Sequence, residues 1–335
     1  MLTSELDYRL PEDLIAQRPA APRDSSRLMV VDASKGTVEH HIFRDLPRFL
    51  GSDDAVVLNE TKVLPARVSV RRPGGGETEL LFLRHLGDQH GSWEVMTRPS
   101  KRLRAGMSLA VGSEELRVVE PLEEGRWVIA GADVLGLLRR RGRMPLPPYI
   151  EATPEAEAAY QTVYAKNEGS AAAPTAGFHF TPRVLERVAR AGARVARVTL
   201  HVGIGTFSPV RVKRLADHRM HAERYSVPED TAQVVGGAER VVAVGTTVAR
   251  TLESWSATGE REGESDLFIR PGYRWRSVGA LLTNFHLPRS TLLAMVMAFA
   301  GKELVREAYE VAVKERYRFF SFGDAMFLLG TGRSR

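Results

Sequence analysis

The chain has 335 residues, 43% of them hydrophobic and 26% charged, enough for two domains and ordinary for a globular protein. It contains no cysteine, which excludes disulfides, thiol nucleophiles and thiolate metal sites. Basic residues outnumber acidic ones by 47 to 41, which suits a polyanionic partner; Leu292–Ala300, the longest apolar run, is too short to span a bilayer. Met1–Arg9 mixes charges and has no apolar run, so no signal peptide is expected and the cytoplasm is favoured.

From the N-terminus, a first strand is expected over Leu28–Asp32, after the polar turn Arg23-Asp24-Ser25-Ser26-Arg27. A short helix at Asp45–Leu50 and a buried strand at Ala55–Leu58 lead to Asn59-Glu60-Thr61-Lys62, a turn dense in hydrogen-bonding groups. After Pro65-Ala66-Arg67 the texture changes to short alternating segments: Thr78–Leu83, Trp93–Thr97, Met107–Val111, Leu116–Val119 and Arg126–Ile129. Strands this short and this closely spaced predict a small barrel or sandwich. The expected architecture is an α/β main domain over residues 1–67 and 150–335, with an all-β domain inserted at 68–149. Between Lys62 and Ile150 there are 15 basic and 10 acidic residues, so most of the chain's excess positive charge lies there. Two clusters stand out, Arg98, Lys101, Arg102, Arg104 and Arg139, Arg140, Arg141, Arg143. Two readings stay open for them: the footprint of a phosphate backbone, or a pair of solvated turns.

The stretch Pro174–Phe207 follows. Pro174-Thr175-Ala176-Gly177 signals a turn, and His179 stands between Phe178 and Phe180. Thr181 caps a helix that has Pro182 at its first position and stops at Gly192. A strand over Val195–Leu200 then ends in His201-Val202-Gly203-Ile204-Gly205-Thr206-Phe207. Strand ends are where α/β proteins hold ligands, and glycine permits close backbone approach. His218, His221 and Glu223 are closely spaced but lack an aligned third ligand, so no metal site is assigned.

Val241–Val244 reads as a strand, followed by Gly245-Thr246-Thr247 and a helix through Glu253. Such a turn exposes N–H groups suited to a carboxylate or phosphate, or is an ordinary strand–helix connection. Strands are further expected at Leu267–Ile269, Leu281 onward to a polar tip at Asn284–His286, Arg318–Phe322 and Ala325–Leu329. Ser290 or Thr291 caps the apolar helix Leu292–Ala300.

Taken together, these motifs resemble the S-adenosylmethionine:tRNA ribosyltransferase-isomerases of queuosine synthesis, nearly end to end. The resemblance is carried by Arg23–Leu28, Leu58-Asn59-Glu60-Thr61-Lys62-Val63 with Pro65-Ala66-Arg67, and Tyr160–Ala165. It continues through Pro174–Phe207, His218…Met220-His221…Glu223, Gly245-Thr246-Thr247…Arg250-Thr251-Leu252-Glu253-Ser254, Thr283–Pro288 and Tyr317–Asp324. Phe178 and Trp275 depart from the family's usual leucine and phenylalanine.

The resemblance implies an α/β domain with an inserted six-stranded β-barrel and a site between them. It implies transfer and isomerisation of the ribosyl part of S-adenosylmethionine onto 7-aminomethyl-7-deazaguanine at the wobble position of a tRNA with a GUN anticodon. Adenine and methionine leave, S-adenosylmethionine is consumed as a substrate, and no cofactor or metal is expected. A cytoplasmic monomer with no membrane contact is expected. The chemistry needs a general base, a donor to departing adenine, and groups for the methionine carboxylate. Candidates in the matching motifs are His179, His201, His286, Glu253 and Asp24 for catalysis, expected to converge on strand-end loops. Arg23, Asn59, Arg67, Thr175, Gly203, Gly205, Thr206, Thr246, Arg250 and Asn284 are expected to bind substrate, and the two basic clusters tRNA. A non-catalytic RNA-binding protein and a methyltransferase are the rivals; a methyltransferase would yield S-adenosylhomocysteine.

Overall fold

A computed structural model of the chain describes residues 1–87, 91–98, 102–203 and 210–330. A hairpin of β1 (Arg27–Asp32) and β2 (Thr37–Ile42) opens the chain, followed by β3 (Asp54–Asn59) and β4 (Thr61–Val63). Six antiparallel strands come next: β5 (Arg67–Arg71), β6 (Glu77–His85), β7 (Ser92–Arg98), β8 (Ser108–Val111), β9 (Glu114–Pro121) and β10 (Arg126–Ala130). They close a barrel in the order β10-β7-β6-β5-β8-β9. Alternation builds it: Val68 and Val70, Leu80 and Phe82, Leu109 and Val111, Leu116 and Val118 are buried in its core, with the less buried Ser69, Leu81, Ala110 and Arg117 between them. Helix α1 (Val134–Arg141) packs Leu137 and Leu138 into the same core.

The chain then runs through α2 (Pro154–Ala159), β11 (Asn167–Ser170), which pairs parallel with β4, α3 (Pro182–Arg190) and β12 (Arg194–Leu200). Next come β13 (Glu223–Ser226), α4 (Glu229–Gly236), β14 (Arg240–Val244), α5 (Thr246–Thr258) and β15 (Glu262–Ser265). It ends with β16 (Ala280–Asn284), α6 (Thr291–Ala300), α7 (Lys302–Lys314) and β17 (Ala325–Leu329). Nine strands form one sheet, in the order β15-β13-β12-β3-β14-β16-β17-β1-β2. Its centre, β12-β3-β14-β16, is parallel throughout, and β17 with β1 runs the other way. Both faces are covered, so β3, β14 and β16 are buried along nearly their whole length and read as unbroken apolar runs.

Two expected strands are absent. Leu267–Ile269 belongs to an irregular loop. Arg318–Phe322 is a turn segment in which Phe320 has φ +70°, and the Phe319 N–H donates to the Leu14 carbonyl at 2.8 Å. The Asp45–Leu50 helix is a 3-10 helix over Phe43–Phe49.

Candidate functional site

Two clefts open on the edge formed by the carboxyl ends of β12, β3, β14 and β16. The smaller, about 60 Å³, lies at the ends of β14 and β16. Its polar lining includes Thr175, Thr246, Thr247, Thr283, Asn284, His286, Ser290 and Ser321. The α5 N-terminus faces it, with Gly245 at φ +93° and no side-chain cap. Asn284 Oδ1 accepts from the Thr175 hydroxyl at 3.0 Å. His286 Nε2 lies 2.7 Å from Thr283 Oγ1. Burial pushes the His286 pKa down to about 3.

The larger cleft, about 500 Å³, lies where the barrel meets the sheet. Barrel strands β6, β7 and β10 contribute Leu83, Arg84, His85, Trp93, Glu94, Met96 and Arg126; the sheet side contributes Glu168, Gly169, His201, Gly203, Glu223, Arg224 and Glu264. Trp93 and His85 form an aromatic wall, with ring centroids 5.3 Å apart. Glu264 bridges the two sides, 3.0 Å from Arg84 and 3.3 Å from Arg224. Val202 lines both clefts.

His201 follows β12 directly. Its backbone N–H donates to the Arg224 carbonyl at 3.0 Å, and its Nδ1 lies 2.8 Å from Thr61 Oγ1. Its Nε2 has no hydrogen-bond partner among the described residues. Burial, aided by Arg224, lowers its pKa, so the ring is neutral near pH 7.

The structure does not bring His179, His201, His286 and Glu253 together. Strands β12 and β16 lie three positions apart in the sheet, about 14 Å at normal strand spacing, so His201 and His286 serve different clefts. His179 is buried on the far side of β16 from His201 and stacked on Phe43; its Nδ1 lies 2.8 Å from Ser26 Oγ and its Nε2 3.2 Å from Asn284 Nδ2. Burial pushes its pKa down to about 3. Glu253 is fully buried and lines neither cleft. Its carboxylate accepts from the N–H groups of Arg276, Ser277 and Val278 and from the Tyr273 hydroxyl at 2.9–3.0 Å, holding the loop after β15.

Most other candidates have their polar atoms bound within the fold. Arg23 donates to the carbonyls of Gln161 and Ala159 at 2.7 Å, and Asp24 accepts from the Thr181 hydroxyl at 3.5 Å. Asn59 ties β3 to β12: its Nδ2 donates to the Leu200 carbonyl at 3.0 Å, and its Oδ1 accepts from the N–H groups of Leu200 and Thr61 at 3.1 Å. Arg67 pairs with Glu79 inside the barrel region. Arg250 and Glu223 form a buried ion pair, and Glu223 also accepts from the Gly203 N–H at 2.7 Å. A Cβ at Gly203 would meet only ordinary contacts, so the fold itself places no demand on that glycine. Phe178 and Trp275 are core residues, Trp275 donating to the Ala298 carbonyl at 3.1 Å. Gly205, Thr206, Lys101 and the Arg98 side chain lie outside the described residues.

The second basic cluster is largely paired: Arg139 with Glu168 at 2.6 Å, Arg140 with Glu114 at 2.8 Å and Arg143 with Glu157 at 3.0 Å. Arg102, Arg104 and Arg141 are exposed and make no ion pair among the described residues. Sequence reasoning passed over Arg84, Trp93, Arg126, Glu168, Gly169, Arg224 and Glu264. Their only signal was position, at barrel rims and in edge strands whose partners the sequence did not reveal. His218 and His221 join no group of three or more metal-ligating side chains among the described residues.

A family model described as queuosine biosynthesis protein matches residues 3–328. The chain is 71% identical to the S-adenosylmethionine:tRNA ribosyltransferase-isomerase of Rubrobacter xylanophilus, covering all of this chain and 99% of that protein. It is 49% identical to the protein of the same name from Moorella thermoacetica, over 98% of this chain and 100% of the other. A crystal structure of S-adenosylmethionine tRNA ribosyltransferase from Thermotoga maritima shares the fold with TM-score 0.57 and 38% identity, over 97% of this chain and 100% of that one.

Proposed function

Since this chain belongs to the queuosine biosynthesis family of S-adenosylmethionine:tRNA ribosyltransferase-isomerases, it carries that ribosyl-transfer activity, and we propose that the reaction runs in the barrel–sheet cleft with His201 as its base. The substrate is the 7-aminomethyl-7-deazaguanine base of a tRNA, the donor is S-adenosylmethionine, and the product is epoxyqueuosine-tRNA. The supporting observation is an imidazole that lines the cleft of about 500 Å³ where barrel meets sheet, with an Nε2 that has no hydrogen-bond partner among the described residues.

The positive sulfur of S-adenosylmethionine acidifies the adjacent C5′–H, and His201 Nε2 accepts that proton. The C4′–O4′ bond then breaks with its pair on oxygen, which forms a carbonyl with C1′ as the glycosidic bond breaks with its pair on nitrogen and adenine leaves protonated. The aminomethyl nitrogen bonds to C4′ and loses a proton, and the pair this returns to C5′ bonds to C1′ and closes the cyclopentane. The oxygen on C1′ displaces sulfur from C5′ to form the epoxide, the C5′–S pair leaving with methionine, so the balance needs no external electron. On this reading no metal or redox cofactor takes part.

The cleft suits such substrates. Trp93 with His85 offers an aromatic wall to the sulfonium and to a base splayed from an anticodon loop. The small cleft, with free N–H groups at the start of α5, takes the methionine carboxylate. The barrel, residues 68–149, holds the tRNA backbone, and residues 1–67 and 150–335 hold the donor. The substrate is a tRNA with a GUN anticodon, and the enzyme works as a cytoplasmic monomer.

Chromatography tests the activity. S-adenosylmethionine incubated with tRNA carrying the aminomethyl-deazaguanine is expected to release equal amounts of adenine and methionine. S-adenosylhomocysteine as the only product would identify a methyltransferase instead.

A further inference from the structure

The two-stranded sheet β4–β11 has no obvious part in the chemistry, yet both of its strands touch His201. Thr61, fully buried on β4, places its Oγ1 2.8 Å from His201 Nδ1. The same Oγ1 lies 3.5 Å from the Asn167 carbonyl on β11. Assigning the Thr61 hydrogen to that carbonyl makes His201 Nδ1 the donor and leaves the lone pair on Nε2, which has no hydrogen-bond partner among the described residues. On β11, Gly169 has φ +145°, and a Cβ there would fall 2.9 Å from Cε1, 3.0 Å from Nε2 and 3.1 Å from Nδ1 of His201. Three nearly equal distances mean that the Gly169 backbone lies against the flat of the imidazole. One strand thus holds the ring by its edge and the other by its face.

The backbones that carry these groups are themselves locked together. Asn59 Oδ1 accepts from the N–H groups of both Thr61 and Leu200, the residue before His201. The Val202 N–H donates to Ser170 Oγ at 2.8 Å, and the Ala171 N–H to the Val202 carbonyl at 3.1 Å. Neither the tautomer nor the tilt of His201 is left to solvent.

We propose that Thr61 and Gly169 are positioning residues for His201: the Thr61 hydroxyl fixes the tautomer that leaves Nε2 basic, and the missing side chain of Gly169 fixes the ring's tilt. This inference rests on His201 being the base. The test uses the full-length enzyme with S-adenosylmethionine and substrate tRNA. Thr61→Val keeps the shape and removes the hydroxyl, and kcat is expected to fall roughly 10–100-fold, the range typical for lost orienting partners. KM for both substrates should stay within about twofold. A hydrogen bond accepted from Nδ1 favours the charged ring, so its loss lowers the His201 pKa and moves the acidic limb of the kcat profile to lower pH. Thr61→Ser should recover most of the activity and return the limb. Gly169→Ala, on the other strand, should lower kcat without losing substrate binding, and carries the test if Thr61→Val fails to fold. Wild-type kcat and an unmoved limb in Thr61→Val, or a Thr61→Ser enzyme no better than the valine variant, would overturn the proposal. His201→Gln separates the two levels. If it retains full turnover, the assignment of the base fails; if it is inactive while Thr61→Val is normal, only the positioning role fails.

Discussion

Three histidines with similar sequence settings end in three different states. His179 lies between two aromatic residues and His286 at a strand tip, and both are buried with pKa values pushed down to about 3 from an ordinary 6.5. His201 keeps one nitrogen toward a cleft. The sequence showed that these residues sit at loop tips, but it did not show which ring nitrogens the fold would occupy. Ser26 and Asn284 reach His179, and Thr61 reaches His201, from distant parts of the chain, whereas Thr283 is three residues from His286. The buried pair has a consequence for stability. Above pH 6.5 both are neutral whether folded or not. Below it the unfolded chain binds protons that the native state refuses, so stability falls with pH until about pH 3. The slope approaches roughly 1.4 kcal/mol per pH unit for each histidine. Urea melts at pH 6.5, 5.5 and 4.5 are expected to show His179→Phe losing less stability on acidification than wild type; equal losses would mean that His179 is protonated in the folded protein.

Among the elements, the buried parallel strands were the most legible, because unbroken apolar runs such as Ala55–Leu58 and Val241–Val244 have few other uses. The polar strands β13 and β15 were not, since Glu223–Ser226 and Glu262–Ser265 carry charged residues and acquire their meaning only by pairing, β15 with β13 and β13 with β12. Helix α7 was passed over although Val305, Ala308, Tyr309 and Ala312 recur at helical spacing and are all buried. Leu267–Ile269 was expected as a strand because it is apolar; the loop around it instead gains its order from Glu253. That carboxylate satisfies three backbone N–H groups and one phenol. Glu253→Ala would leave several buried donors unpaired, at about 1–3 kcal/mol each. The melting temperature is expected to drop by several degrees, while turnover per folded molecule stays near wild type. An unchanged melt with lost turnover would return Glu253 to the chemistry.

At the scale of the molecule, the change of texture after Arg67 was enough to expect a small barrel or sandwich, and the family resemblance supplied the six-stranded barrel; the strand order that closes it rests on pairings that no local pattern encodes. The charge was legible, but its availability was not. Arg139, Arg140 and Arg143 are met by Glu168, Glu114 and Glu157, whereas Arg102 and Arg104 stand exposed without ion pairs among the described residues. Replacing Arg102 and Arg104 with alanine is therefore expected to weaken tRNA binding and to flatten its salt dependence by about 0.7–0.9 log units per lost phosphate contact. Binding isotherms from 50 to 200 mM salt measure this, and an unchanged slope would leave the barrel surface without a phosphate role. The central claim is that the chemistry occupies the cleft between barrel and sheet. A crystal structure with S-adenosylmethionine bound tests it most directly. The account predicts the ribose in that cleft, with C5′ within reach of His201 Nε2 and the methionine carboxylate toward the start of α5. A ligand bound elsewhere, with His201 remote from its sulfonium, would contradict it.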